Sequence, residues 1–113
     1  MKESDQVQIQ INEARRMQEL RDNCGKLLKN TAFKKVIEEG YFKEEAARLV
    51  MAKSNHNLSP DQQVNIDNMI YGVGTLANYL ESVMRRGAEM DTAIEEYEET
   101  QTELLSEELS NAK

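Results

Sequence analysis

The sequence has no tryptophan, one proline (Pro60), one cysteine (Cys24), one histidine (His56), five glycines, four tyrosines and two phenylalanines among its 113 residues. Scarce turn formers and aromatic residues leave little material for sheets, which favours helices over strand-rich folds. One cysteine cannot close an intrachain disulfide, and a reducing compartment fits that usage. Cys24 falls among apolar helical positions, where a buried thiol is expected rather than a nucleophile. His56 stands between Asn55 and Asn57 with no cysteine or second histidine to complete a metal site, so it is expected in a solvated loop. No run reaches the roughly 18–20 apolar residues of a membrane span, and Met1 to Gln10 lacks a signal-peptide core. The chain is therefore expected to stay in the cytosol where it is made.

What is present favours helices. Hydrophobic residues make up 39% and charged residues 31% of the chain, with six methionines and many Ala, Leu, Glu, Gln and Lys. Such unbranched side chains lose little rotamer freedom in a helix. The length suits one helical domain over residues 1–113 with a modest core. The expected fold is all-α: a helical hairpin or small bundle with a long, coiled-coil-like C-terminal helix. Net charge is −7, and residues 87–112 carry nine acids and no base. Residues 15–53 hold ten basic against six acidic residues, too mild an excess to indicate nucleic acid.

Four helices are expected, at about residues 5–29, 32–39, 41–53 and 60–108. Ser4 or Asp5 is placed to cap the first, and Val7, Ile11, Ala14, Met17, Leu20, Cys24 and Leu27 recur at spacings of three and four as its apolar stripe. Asp22 and Lys26 stand four apart on its exposed side. Thr31 is a candidate cap for the second helix, which Gly40 is expected to end in a left-handed conformation. In the third, Glu44 is placed to pair with Arg48. Ser59, Pro60, Asp61 and Gln62 combine a hydroxyl cap, proline at the first helical position, an early acid and a capping-box glutamine. The longest helix should start there.

Along that helix two seven-residue series interleave, Val73, Leu80, Gly87, Ile94 and Leu76, Val83, Met90, Tyr97, Leu104. The first series breaks at Gln101 and Glu108. A helix reaching Glu108 would be about 70 Å long, more than a domain of this size covers. If the first helix folds back along its early part, the section beyond Gly87 is left facing water. Val73, Leu76, Leu80, Val83, Met90, Ile94, Tyr97 and Leu104 are therefore the candidate protein interface.

Residues that suggest chemistry have simpler readings. Gly72, Gly74 and Ala77 match the spacing of a dinucleotide-binding turn, but that turn follows a buried strand, whereas these residues descend from a strong helix cap. Helix-packing glycines are expected instead. The pairs Glu95 with Glu96 and Glu98 with Glu99 diverge around a helix and have no accompanying histidine, so they read as a solvated or partner-seeking face. Asn57, Leu58, Ser59 spells a glycosylation sequon, but Pro60 follows it and nothing points to secretion. Arg85 and Arg86 are read as snorkelling surface residues. No nucleophile has a base, so no enzyme, catalytic residue, cofactor or metal is expected.

Asn30 to Lys53, NTAFKKVIEEGYFKEEAARLVMAK, resembles a recurring segment of small acidic helical proteins of tailed bacteriophages. The segments IYGVGTLANYLESVMRRG and EEYEETQTELLSEEL continue the likeness, which covers most of the chain from about Leu27. The resemblance implies a late or structural phage product in the host cytoplasm or the virion. On that basis the chain is expected to be a structural or assembly protein that associates with itself or with a larger virion protein. The alternative is an early protein that inhibits a host factor through its acidic C-terminal helix. Neither a membrane nor a nucleic acid is the expected partner.

Overall fold

The computed structural model describes residues 1–112. The fold is all-α, and no strand occurs among the described residues. Helix α1 spans Glu3–Lys29 and α2 spans Thr31–Phe33; a π-helical run over Lys34–Glu45 leads into α3, Ala46–Lys53, and α4 covers Pro60–Asn111.

Local chemistry explains most of these boundaries. At the start of α4 the Ser59 hydroxyl accepts the Gln62 backbone N–H at 3.2 Å, and the Gln62 side chain accepts the Ser59 N–H at 2.9 Å. The reciprocal pair satisfies two amides that a helix start leaves without partners. Ser59→Ala should lower stability by about 1 kcal/mol, measured by thermal or urea denaturation. The preceding loop turns through Asn55, whose side chain accepts the Asn57 N–H at 3.0 Å, with exposed His56 between them.

Three expectations need correction here. Asn30, not Thr31, caps the second helical stretch: its backbone is extended and its side-chain oxygen accepts the Phe33 N–H at 2.9 Å. Gly40 does not stop a helix. It lies inside the π-helical run, and no residue among those described has a positive φ. In that wider winding, a Cβ on residue 40 would stand 3.2 Å from the Lys35 carbonyl oxygen, so glycine suits the position without supplying a turn. Arg48 pairs with Glu45 rather than Glu44, and the bond from Arg48 is the main cause holding the Glu45 carboxyl below its ordinary value. On α1, Asp22 accepts from neighbouring Arg21 at 3.0 Å.

The length suggests one unit, but the contacts group into two. One comprises Met1–Cys24 and α4 from Val83 onward; the other is Gly25–Ser82. The first is an antiparallel helical hairpin whose register is fixed by polar pairs. Ser4 lies against Glu108, Gln8 against Gln101, Arg15 against Glu98, and Gln18 and Arg21 against Asp91. Between these layers Ile11, Ala14 and Ile94 are buried, Ile11 only 1% exposed, and Val83 is buried beyond Asp91. Cys24 is buried with them. In Gly25–Ser82, Leu49 and Val73 are buried, and Lys53 bonds Asp67 at 2.8 Å.

Candidate protein-interaction surfaces

The eight seam residues do not form one external interface. In the hairpin Val83 and Ile94 are buried and Met90, Tyr97 and Leu104 half-buried; in Gly25–Ser82, Val73 and Leu80 are buried and Leu76 half-buried. The expectation that the section beyond Gly87 faces water is overturned, with Ile94 only 9% exposed. The cause lies in the register of α1. Its N-terminus reaches the far end of α4, so the first helix covers the late section.

Gln101 and Glu108, where the apolar series breaks, are what set this register. The Ser4 hydroxyl donates to Glu108 Oε2 at 2.8 Å, and the Ser4 N–H points to Oε1 at 3.4 Å. Glu108 thus places a carboxylate at the amide end of α1, where the helix dipole favours negative charge. Ser4 is itself buried and bonded across the hairpin rather than capping its own helix. Gln101 Nε2 donates to Gln8 Oε1 at 2.7 Å and to the Ser4 carbonyl at 3.4 Å. Polar groups at heptad positions specify pairing in this way because a slipped register leaves them without partners.

The stripe on α1 also departs from its expected course after Ala14. Met17 and Leu20 are 39% and 49% exposed, and Leu27 is exposed as well. Gln18 and Arg21 take the inward positions, spaced four and seven from Ala14 and both bonded to Asp91. Arg21 Nη1 donates to Asp91 Oδ1 and Oδ2 at 3.0 and 2.9 Å, and Gln18 Nε2 donates to Oδ1 at 2.7 Å. The Arg21 bond first, then that of Gln18, hold the Asp91 carboxyl below its ordinary range. Opposite this network Gly87 is buried, and a Cβ there would lie 2.2 Å from Arg21 Cβ. The two helices approach too closely at this level for any side chain.

Close helix packing is found at Gly87 but not at Gly72 or Gly74, where it was expected. A Cβ on Gly72 would make an ordinary 3.5 Å contact with the Tyr41 hydroxyl, and one on Gly74 would meet nothing within 4 Å. Both, with Ala77, lie inside α4, where the backbone amides bond along the helix rather than cradling a phosphate. Gly74→Ala should stabilise the chain by up to about 1 kcal/mol, read as a raised melting temperature.

Among the outward surfaces, which include that of Glu13, Arg16, Met17 and Leu20 on α1, two contrast in character. On the hairpin, Glu95, Glu98, Glu99, Thr102 and Glu103 form an open acidic face of α4, and Arg85 makes a 3.8 Å ion pair with Glu89 of its own helix. No group of three or more His, Cys, Asp or Glu side chains is arranged to hold a metal ion among the described residues. In Gly25–Ser82 the imbalance is apolar. Its buried large apolar residues are Leu49, Val73 and Leu80, whereas Leu27, Val36, Val50, Met51, Val64, Met69, Tyr71 and Tyr79 are exposed. This unit carries seven basic and seven acidic residues, so the whole net charge of −7 belongs to the rest of the chain. The sequence holds a signal for this surface that heptad counting passes over: no charged residue stands between Asp67 and Glu81 in a chain that is 31% charged.

No protein-family model matches the chain, and comparison with curated proteins and with solved structures likewise finds no significant match.

Proposed function

We propose that the chain is a non-enzymatic assembly protein that docks on other protein surfaces through Gly25–Ser82. The observation that carries this reading is that the unit combines exposed large apolar side chains, Val50, Met51, Val64 and Tyr71 among them, with no net charge, whereas the rest of the chain carries the whole −7. Large apolar side chains left in water forfeit about 25 cal/mol per Å² that association recovers. The hairpin, whose register is set by polar layers, carries the chain's net negative charge. The resemblance of Asn30 to Lys53 to phage proteins supplies the setting, a tailed-phage particle or its assembly intermediate.

Mass spectrometry of purified particles tests this: the chain is expected in stoichiometric amount. Absence from both particles and assembly intermediates would overturn it. The open acidic face of Glu95, Glu98, Glu99 and Glu103 favours a second reading, in which an early protein blocks a basic site on a host factor. That reading requires expression before particle assembly begins.

A further inference from the structure

We infer that the outer face of α1 between Ile9 and Leu20 is a self-association surface, taken up by the same face of a second copy lying antiparallel to it. The inference concerns the hairpin alone and does not rest on the docking reading of Gly25–Ser82. Ile9, Glu13, Arg16 and Leu20 follow one another at spacings of four, three and four, which places them in one row along the helix. All four are exposed, Ile9 at 45% and Leu20 at 49%, on the side turned away from buried Ile11 and Ala14. Glu13, Arg16 and Leu20, with Met17 beside them, line an open depression. The other arginines of α1, Arg15 and Arg21, pair with Glu98 and Asp91 of α4. Glu13 and Arg16 have no ion-pair partner among the described residues.

The order of charges selects the occupant. The row reads apolar, acid, base, apolar, which is its own complement when reversed. In an antiparallel two-fold contact Glu13 of each copy meets Arg16 of the other, while Ile9 meets Leu20 at both ends. Spacing of four, three and four is that of a coiled-coil seam, along which two helices lie side by side. A parallel copy would set Glu13 against Glu13 and Arg16 against Arg16. Sliding the antiparallel copy by seven residues would set Arg16 against Leu20 or Glu13 against Ile9, covering a charge without its partner. A partner of uniform sign would repel one of the two charges, and an uncharged one would strip water from both without compensation. The row is about 17 Å long at 1.5 Å per residue, and the hairpin of each copy bears an excess of acid, so the dimer is a weak one.

Sedimentation velocity of the full chain from about 5 to 500 µM, at about 0.15 M salt, should show dimer growing with concentration. Glu13→Arg and Arg16→Glu should each weaken self-association about tenfold or more, because each leaves the row with charges of one sign. Glu13→Arg also reduces the chain's net negative charge, so general repulsion cannot explain a loss in that variant. Helix content by circular dichroism should be unchanged in both, since neither exposed side chain bonds across the hairpin. An equimolar mixture of the two variants should regain dimer, as a basic row then meets an acidic one, a recovery that a folding defect would not produce. A chain that stays monomeric over the whole range overturns the inference. So does a dimer that neither variant weakens, or one that the mixture fails to restore. Each of these results leaves the assembly reading of Gly25–Ser82 to the particle measurement.

Discussion

Ile94→Asp is expected to destabilise the hairpin by more than about 4 kcal/mol, a large part of what a small domain has. Ile94 is 9% exposed, between the polar layer of Gln8 and Gln101 and that of Gln18, Arg21 and Asp91. Loss of its burial alone costs about 1.5–3 kcal/mol. The carboxylate adds to this, because it must be buried without a partner or protonated at a cost. From sequence alone, Ile94 and Tyr97 on an uncovered seam would tolerate aspartate with loss of association only. The α1 register predicts the opposite. Urea denaturation followed by circular dichroism decides it, with Glu95→Gln, on the exposed acidic face, as a control within about 0.5 kcal/mol of wild type. A stable, folded Ile94→Asp chain would mean that the late seam is not covered by α1.

The same contrast shows which parts of this fold are legible in the sequence. The start of α4 was legible because Ser59, Pro60 and Gln62 act on one another within four residues, so no tertiary information is needed. The second helical stretch was less so: Asn30 and Thr31 are both good caps, and only the extended backbone at Asn30 selects between them. Gly40 suggested a stop because glycine is common past helix ends, but whether the chain turns there depends on what the following residues pack against. The seam itself was visible from Val73 to Leu104, whereas its partner was not. Hydrophobic periodicity on α1 continues smoothly through Met17, Leu20, Cys24 and Leu27, yet only Cys24 of these is buried, and Gln18 and Arg21, bonded to Asp91, stand in the inward positions. Long-range polar pairing carries no short-range signature. The charge-free stretch before Glu81 was readable, but only as depletion, which a search for apolar spacing does not detect.

Gly87→Leu should be strongly damaging where α1 and α4 meet at Arg21, costing more than about 3 kcal/mol, with Gly87→Ala intermediate. Glycine-to-alanine in a helix ordinarily gains about 1 kcal/mol, as expected at Gly74. At residue 87 the new Cβ would lie 2.2 Å from Arg21 Cβ and 2.7 Å from its Cγ. Arg21 Cβ is fixed to the α1 backbone and cannot swing aside, so the helices must separate. Separation draws the Arg21 guanidinium away from Asp91, and this yields a second readout. The Arg21 bond, with that of Gln18, holds the Asp91 carboxyl low in the native state. A carboxyl lowered by folding contributes stability that is full above its unfolded pKa and is lost as pH falls through the lowered native value. That acid-side loss should be present in the wild type and reduced in Gly87→Ala, where an NMR titration should find Asp91 nearer the ordinary aspartate range. If Gly87→Ala raised the melting temperature and left the Asp91 titration unchanged, the close approach of α1 and α4 at this level would be refuted.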